Sequence, residues 1–240
     1  MIRGLRVATY NVHKCRGMDW RVSTSRVLNV IREMDADIFS LQEVFCKQAN
    51  FISERLEIPV AFGAARKLAG DDYGNAVFSR FGFLQTCNYD LSVRSREPRR
   101  CLRADIQIDQ ARAMHLFAVH LGTSFFERRQ QAGRLVSDEI LKNAGLNGPR
   151  MVIGDFNEWT RGLISRTLSL HMQSADLVEH LQRRRTYPGV IPFLHLDHIY
   201  YDAPLKLAKM HLHRTRASLV ASDHLPLIGE FEWPVDECNP

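Results

Sequence analysis

Residues 150–158 read Arg-Met-Val-Ile-Gly-Asp-Phe-Asn-Glu, a short apolar segment that runs directly into carboxylate and amide side chains. The segment Arg150–Gly154 has the composition of a strand. Asp155 and Asn157 are two positions apart, so in an extended chain both side chains point to the same side. Buried carboxylates and amides need partners or an open edge. This stretch therefore predicts a strand that ends at a polar site.

Five further segments repeat this pattern, in which an apolar run meets carboxylate, amide or imidazole groups. They are Tyr10-Asn11-Val12-His13, Leu41-Gln42-Glu43-Val44, Val119-His120-Leu121, Leu196-Asp197-His198-Ile199 and Ser222-Asp223-His224. Ligand sites in layered folds tend to form where strands end. Taken singly, these residues have ordinary explanations: Asn11 as a turn residue, Glu43 as a helix-start carboxylate and His120 as a hydrogen-bonded core histidine.

Strands and helical stretches alternate along the chain. Val22–Met34 and Lys47–Leu56 have helical spacing, Glu127–Ala144 is the clearest helix, and Gly162–Leu170 and Ser174–Leu181 are short ones. Many strands, several in direct succession, predict sheets that pack face to face with helices outside. No composition shift, low-complexity segment or repeat marks a boundary, so we expect one domain over residues 1–240.

Composition is that of an ordinary globular protein, with 45% hydrophobic and 25% charged residues. No apolar stretch is long enough to cross a bilayer, and the N-terminus lacks the pattern of a secretory signal. The five cysteines are scattered and form no CxxC pair, which argues against a disulfide framework or a structural zinc site. We therefore expect a cytoplasmic protein without a transmembrane segment, and no obligate protein partner is evident.

The balance of charge favours anionic partners. The net charge is +5 and the isoelectric point is near 9.1, which suits phosphates, nucleic acid or lipid headgroups without choosing among them. Basic clusters occur at residues 94–100, 128–129 and 183–185. A solvated surface explains any one cluster, but three raise the odds that one of them faces an anion.

The chain resembles the endonuclease/exonuclease/phosphatase superfamily in an ordered set of motifs: TyrAsnValHis, LeuGlnGluVal, GlyAsnAlaValPheSerArg, HisLeu, GlyAspPheAsn, LeuAspHisIle and SerAspHisLeuPro. That superfamily includes DNase I-like nucleases, abasic-site endonucleases, neutral sphingomyelinases and inositol-polyphosphate 5-phosphatases. The resemblance runs from residue 5 to residue 231. GlyAspPheAsn and SerAspHis, in combination and in this order, are its most specific part.

The resemblance implies an α+β fold, a four-layer αββα sandwich of two mostly antiparallel sheets with helices outside. The site would lie at one end of the two sheets. Glu43 resembles the main metal ligand of the superfamily, helped by Asn11 and Asp223. Hard oxygen donors of this kind suit Mg²⁺ or Mn²⁺.

The resemblance also implies catalytic roles. Asp155 would orient or deprotonate the attacking water, and Asn157 beside it would hold the phosphate or the water. His224 would contact the phosphate, with Asp197 as its carboxylate partner, and His120 would bind a phosphate oxygen or assist the leaving group. Such a set neutralises the charge that grows in the transition state and accepts the proton of the water.

Two further side chains are weaker candidates for contact with the substrate phosphate. Asn75 is either a phosphate contact or a turn amide. Arg128 lies three residues before Gln131 on one helical face, and either reaches a phosphate or forms a surface pair. Six aromatic side chains either rim the cleft or pack in the core and loops: Trp20, Phe125, Phe126, Trp159, Tyr187 and Phe193.

The predicted function is that of a divalent-metal-dependent phosphoesterase. DNase I-like and abasic-site enzymes carry a basic residue where Phe45 stands here, and LeuGlnGluValPhe is more similar to the sphingomyelinase branch. We therefore expect a phosphodiesterase that acts on a phospholipid headgroup or a small phosphodiester by in-line attack of water. Two alternatives stay open: a nuclease acting on DNA or RNA, which the basic charge favours, and a non-catalytic phosphate-binding module.

Overall fold

Two six-stranded sheets dominate the computed structural model, which describes residues 3–158, 162–175, 186–187 and 194–233. In chain order the strands are β1 (Arg3–Asn11), β2 (Ile38–Phe45), β3 (Val60–Leu68), β4 (Asp71–Ser79), β5 (Gly82–Asp90), β6 (Arg100–Gln107), β7 (Ala113–His120), β8 (Arg150–Asp155), β9 (Gln173–Ser174), β10 (Asp197–Tyr201), β11 (Lys206–Leu212) and β12 (Leu227–Trp233). The helices are α1 (Thr24–Met34), α2 (Cys46–Leu56), α3 (Phe125–Leu135), α4 (Leu163–Ser169) and α5 (Arg216–Ala221). None of these helices combines the length and the apolarity that crossing a bilayer requires.

Each sheet contains one parallel pair of strands at its centre. The first sheet has the order β11-β12-β1-β2-β4-β3 and the second the order β5-β6-β7-β8-β10-β9. The pairs β1–β2 and β7–β8 are parallel, and all other neighbours are antiparallel. Parallel strands end at the same edge of a sheet, and the two parallel pairs contact each other across the sandwich. Four strand ends therefore meet at one end of the molecule.

Three apolar layers hold the sandwich together. The layer between the sheets contains Val7 and Ile38 of the first sheet and Leu116 and Ile153 of the second. The outer face of the first sheet packs against α1 and α2, and that of the second against α3 and α4. The predicted four-layer αββα sandwich is confirmed.

The helices predicted at Val22–Met34, Lys47–Leu56 and Gly162–Leu170 are confirmed, the one at Glu127–Ala144 has the wrong extent, and the one at Ser174–Leu181 is wrong at its first residue. α1 begins at Thr24 because the Ser23 hydroxyl accepts a hydrogen bond from the Arg26 amide, 3.3 Å away. Of the predicted helix Ser174–Leu181, Ser174 lies in β9 and residues 176–181 lie outside the described residues.

The predicted helix Glu127–Ala144 is too long, since α3 ends at Leu135. The amide of Leu141 bonds back to the carbonyl of Leu135 at 3.1 Å, and that of Ile140 to the carbonyl of Ser137 at 3.1 Å. These turns bury Ile140 and Leu141 in the layer outside the second sheet. Tertiary burial thus overrides the helical pattern of the sequence.

Four cysteines lie among the described residues and none of them is in a disulfide: Cys15, Cys46, Cys87 and Cys101. Cys238 lies outside the described residues, as do Trp159, Phe193 and the basic cluster at 183–185. Burial raises the pKa of the Cys15 thiol to about 12. Cys15 is therefore an inert, buried thiol at neutral pH.

Replacing Phe78 should test the packing outside the first sheet. The Phe78 ring is fully buried and stacks on Phe39 with centroids 4.6 Å apart. Phe78→Ala should lower the free energy of unfolding by about 3–5 kcal/mol, as measured by urea denaturation. Phe126→Ala, which removes an exposed ring, should change it by less than about 0.5 kcal/mol. Equal effects of the two substitutions would contradict this packing.

Candidate active site

Strand alternation aims four polar side chains at one place. In β7 and β8, the residues that face the opposite sheet are apolar until the last residue of the strand, which is polar. In β1, Thr9 precedes Asn11 on that face, and in β10 Asp197 is the first residue, ahead of Ile199 and Tyr201. These end residues are Asn11, His120, Asp155 and Asp197. In β8, for example, Met151 and Ile153 belong to the core between the sheets, and Asp155 is the next residue on that face. The strands therefore bring carboxylate, amide and imidazole groups together at the end of the apolar layer.

Strand register places three of these residues side by side. Asp155 pairs with His120 across the parallel β7–β8 ladder and with Asp197 across the antiparallel β8–β10 ladder. Gly154 precedes Asp155 with φ +146°, and a Cβ there would lie 1.9 Å from the carbonyl oxygen of Val119. The glycine of GlyAspPheAsn is therefore required for the close approach of β7 and β8.

Glu43 reaches the site through an irregularity in β2. The β2–β4 register shifts between Leu41 and Val44, and Glu43 has φ +57°. A β-bulge of this kind re-aims a side chain, and a left-handed backbone at a non-glycine residue stores strain that the surrounding structure must offset. The bulge turns Glu43 toward the end of the sandwich.

Asn11 links the two central carboxylates. Its Nδ2 donates to Asp155 Oδ2 at 2.9 Å and to Glu43 Oε1 at 3.3 Å. Its Oδ1 accepts from the backbone amide of His13 at 3.0 Å. Asn11 and Asp155 are both buried. Burial raises the pKa of Asp155, although His224 and His120 oppose the shift.

His224 is a protonated imidazole held by Asp197. The two residues are buried, with His224 Nδ1 2.9 Å from Asp197 Oδ2 and His224 Nε2 3.7 Å from Asp155 Oδ2. Burial lowers the pKa of His224, but the carboxylate of Asp197, with Asp155 and Asp223, outweighs burial and raises the pKa to about 10. At neutral pH both ring nitrogens therefore carry protons.

His120, unlike His224, is a neutral imidazole at neutral pH. Its Nε2 lies 3.8 Å from Asp155 Oδ2 and 3.9 Å from Glu43 Oε1. Arg99 Nη1 approaches the same ring, 2.9 Å from Nδ1. Burial and the charge of Arg99 lower the pKa of His120 to about 4. Asp155 thus lies between a neutral and a charged imidazole.

Three donors hold Glu43 as a carboxylate, Asn11 at Oε1 and Lys14 and Tyr73 at Oε2. Lys14 Nζ lies 3.3 Å and Tyr73 Oη 2.9 Å from Glu43 Oε2. Burial raises the pKa of Glu43, but His120 and Lys14, with hydrogen bonds from Tyr73 and Asn11, lower it to about 2. Lys14 is placed by a short helical turn, His13–Cys15, whose three residues all have positive φ.

Two other predicted residues lie in loops, Asn157 after β8 and Asp223 after α5. The backbone amide of Asn157 donates to Asp155 Oδ1, and its side-chain Nδ2 donates to the carbonyl of Leu121, both at 2.9 Å. Asp223 Oδ1 lies 3.7 Å from His13 Nδ1.

The two weaker candidates for phosphate contact bond to backbone carbonyls. Asn75 is buried in β4 and donates to the carbonyl of Arg100 at 3.3 Å. Arg128 Nη1 donates to the carbonyls of Gly122 and Thr123, so it orders the loop after His120. A phosphate contact by either residue stays a prediction.

The donors around Asp155 and Glu43 fit a hard divalent cation. Two carboxylates and an amide face one another in a buried setting. The described residues contain no group of three His, Cys, Asp or Glu side chains placed to enclose a metal. Mg²⁺ does not need one, because it is usually bound through one or two carboxylates and water. Asn11 directs its NH₂ at both carboxylates, so its amide would have to rotate to offer Oδ1.

The six segments distant in sequence thus form one site, and comparison with known proteins gives it a family. The model of the Endonuclease/Exonuclease/phosphatase family matches residues 8–224. The chain belongs to this family. The match spans nearly all of the site-bearing strands and ends at His224.

Several known proteins are similar to this chain over nearly its whole length. The uncharacterized protein YbhP of Escherichia coli K12 is 29% identical, over 94% of this chain and 95% of YbhP. An endonuclease/exonuclease/phosphatase family protein of Bacteroides thetaiotaomicron has a TM-score of 0.83 at 20% identity, over 98% of this chain and all of that one. A mannosyl-6-phosphatase of the same organism has a TM-score of 0.78 at 20% identity, over 95% and 99%. The domain is therefore the phosphoesterase-type fold of the family.

Three residues of the site were not predicted from the sequence: Lys14, Tyr73 and Arg99. Tyr73 had a signal, because it lies two positions before Asn75 and so shares its face of β4. Arg99 was visible only as part of a basic cluster. Lys14 had no readable signal, since nothing in the sequence announces a left-handed turn at three non-glycine residues.

Gly154→Ala should test the close approach of β7 and β8 beside the site. The added methyl group must displace the Val119 carbonyl. The free energy of unfolding, measured by urea denaturation, should therefore fall by about 1–3 kcal/mol or more. Gly133→Ala is the control: a Cβ there meets nothing within 4 Å and Gly133 lies in α3. That substitution should stabilise the protein by up to about 1 kcal/mol. A Gly154→Ala variant as stable as the wild type would refute the tight packing.

Proposed function

We propose that this protein is a Mg²⁺- or Mn²⁺-dependent phosphodiesterase that hydrolyses a phospholipid headgroup or a small phosphodiester by in-line attack of water. The observation that carries the proposal is the meeting at Asp155 of groups from separate segments of the chain. Asp155 Oδ2 lies 2.9 Å from Asn11 Nδ2, 3.8 Å from His120 Nε2 and 3.7 Å from His224 Nε2. A carboxylate between donors is suited to holding a water and accepting its proton.

The reaction adds the oxygen of water to phosphorus and breaks the ester P–O bond on the opposite side, giving a phosphomonoester and an alcohol. Asp155 accepts a proton from the attacking water, and the leaving oxygen takes one from bulk water, to which Asp155 later returns its own. Asn157, whose backbone amide bonds to Asp155 Oδ1, fixes the orientation of this carboxylate.

The histidines bind the phosphate. Asp197 holds the imidazole of His224 through Nδ1 and leaves Nε2 directed into the site. His120 is held by Arg99 at the other side of Asp155. Donors fixed before the reaction stabilise the charge on the transition state without reorganising, and one such donor is commonly worth about 2.7–4 kcal/mol.

Glu43, with Asn11 and Asp223, would hold the divalent cation. A cation there supplies Lewis-acid stabilisation of the phosphate oxygens. Lys14 and Tyr73 orient Glu43 from the side away from Asn11, because they bond to Oε2 while Asn11 bonds to Oε1.

A nuclease is the second candidate, favoured by the net charge of +5. The deciding experiment is a panel of bis(p-nitrophenyl) phosphate, phospholipid vesicles, plasmid DNA, abasic DNA and a sugar phosphate monoester, assayed with Mg²⁺ and Mn²⁺. We expect hydrolysis of diesters of lipid headgroups or small alcohols. Nicking of DNA with steep salt dependence, without lipid hydrolysis, would replace the proposal with a nuclease. Binding without turnover of any substrate would leave a phosphate-binding module.

Asp155→Asn should lower kcat by about 10²–10³-fold, because the amide cannot accept the proton of the water. The measurement is steady-state hydrolysis of the best substrate of the panel.

Asp105→Asn is a matched control. Asp105 is a buried carboxylate of the same sheet that bonds to His115 Nδ1 at 2.7 Å. His115 lies near the start of β7, whose other end carries His120. This substitution should reduce stability but leave kcat of the folded protein within about threefold. Equal loss of kcat in both variants would remove Asp155 from the mechanism.

Glu43→Gln should weaken binding of Mg²⁺ or Mn²⁺ on the order of tenfold or more, because cation affinity follows the charge of the ligands. Isothermal titration of the metal measures this without turnover. Chelation with EDTA should abolish hydrolysis, and added Mg²⁺ or Mn²⁺ should restore it. Activity that survives EDTA, or unchanged metal affinity in Glu43→Gln, would contradict the assignment of the metal site.

A further inference from the structure

An exposed apolar loop stands beside the active site. Residues 16–22 follow the turn that carries Lys14, and three of their side chains, Met18, Trp20 and Val22, are exposed. Trp20 is 75% exposed. Val220 of α5 is exposed as well. It lies next to the loop, since the amide of Met18 donates to the Val220 carbonyl at 3.0 Å. Exposed large apolar side chains that cluster usually mark a contact surface.

The loop is rigidly held although its apolar side chains point to solvent. Arg26 donates to both carboxylate oxygens of Asp19 at 2.9 Å and also to the carbonyl of Val220. The amide of Gly17 bonds to the carbonyl of Arg21 at 3.0 Å, and Trp20 has φ +63°. These hydrogen bonds fix the loop through its backbone and through the Asp19 carboxylate. This arrangement displays Trp20 instead of burying it.

A second pair of exposed apolar side chains follows a strand of the other sheet. Phe125 and Phe126 are exposed, the latter by 73%, and their rings meet edge to face at 5.7 Å. They follow the end of β7, as the Trp20 loop follows the end of β1. The two exposed apolar groups therefore follow the strand ends that carry His120 and Asn11, one from each sheet.

The charges around the Trp20 loop complement an anionic surface. Arg16, Arg21 and Arg216 are exposed near its apolar side chains. The one acidic residue of the loop, Asp19, is neutralised by Arg26. Basic side chains around a tryptophan and aliphatic groups match the interface of a bilayer that contains anionic lipid.

We infer that the Trp20 loop, with Phe125 and Phe126, docks the protein on an anionic phospholipid bilayer and so brings headgroup phosphates to the active site. Nucleic acid fits this surface less well, because stacking platforms combine aromatic faces with a basic groove. Here Trp20 stands at the tip of a loop among aliphatic side chains. This inference deepens the proposed function and rests on it for the identity of the substrate.

Co-sedimentation with vesicles tests the docking. Phosphatidylcholine vesicles with and without phosphatidylglycerol are mixed with the full chain in EDTA, so that binding is read without turnover. We expect binding that needs phosphatidylglycerol and weakens with salt. The double variant Trp20→Ser/Val22→Ser should bind at least tenfold more weakly, and Arg16→Glu/Arg21→Glu should lose the dependence on phosphatidylglycerol.

Leu84→Ser is the matched control. Leu84 is 60% exposed in β5. Its neighbour Phe83 pairs with Ile106, which pairs with Met114 near the start of β7, at the opposite end of the sheet from His120. This variant should bind vesicles like the wild type. Circular dichroism melting checks that all variants are folded.

Hydrolysis of a soluble diester separates this inference from the proposed function. Trp20→Ser/Val22→Ser should hydrolyse bis(p-nitrophenyl) phosphate like the wild type but lose at least tenfold on vesicle lipid. Normal diester hydrolysis by a wild type that binds no vesicles would overturn the docking surface alone. No hydrolysis of any phosphodiester, with vesicle binding intact, would overturn the proposed function and keep the surface. A variant that loses binding to single-stranded oligonucleotide but not to vesicles would assign the loop to nucleic acid instead.

Discussion

The site depends on the cost of burying the Asp155 carboxylate. This side chain has almost no contact with solvent, and burial alone disfavours its charge. The structure meets that cost with an amide from β1, an imidazolium that Asp197 supports, and the backbone amide of Asn157. Every one of these groups comes from a different segment. The positions of the strands must therefore be accurate for the carboxylate to be tolerated at all.

The sandwich provides this accuracy through its two parallel pairs. The strands β1, β2, β7 and β8 fill the space between the sheets with apolar side chains and end together at one edge. The same alternation that packs Ile153 into the core aims Asp155 into the site. Local strain then adjusts the result, since Glu43 and Lys14 reach the site through left-handed backbone. Core packing and chemistry are thus consecutive parts of the same strands.

The residues of the site show what sequence can and cannot predict. Period-two alternation and strand ends predicted polar groups at Asn11, His120 and Asp155, because strand geometry acts locally, but only the family resemblance gave these residues roles. The charge state of His120 could not be predicted, because it depends on Arg99, which lies 21 positions away and meets the ring only in the folded sandwich. The bulge at Glu43 was hidden for a similar reason, as only pairing with β4 reveals it. α3 stopped early because burial of Ile140 and Leu141 outweighed helical spacing.

The central proposal is that Glu43, with Asn11 and Asp223, holds a divalent cation beside the Asp155 carboxylate. The most direct measurement is the anomalous diffraction of crystals soaked in Mn²⁺. The account predicts a single strong peak against the carboxylate of Glu43, at a metal–oxygen distance of about 2.0–2.3 Å. A soaked, catalytically active crystal with no peak at Glu43, or with its peak elsewhere, would contradict the account.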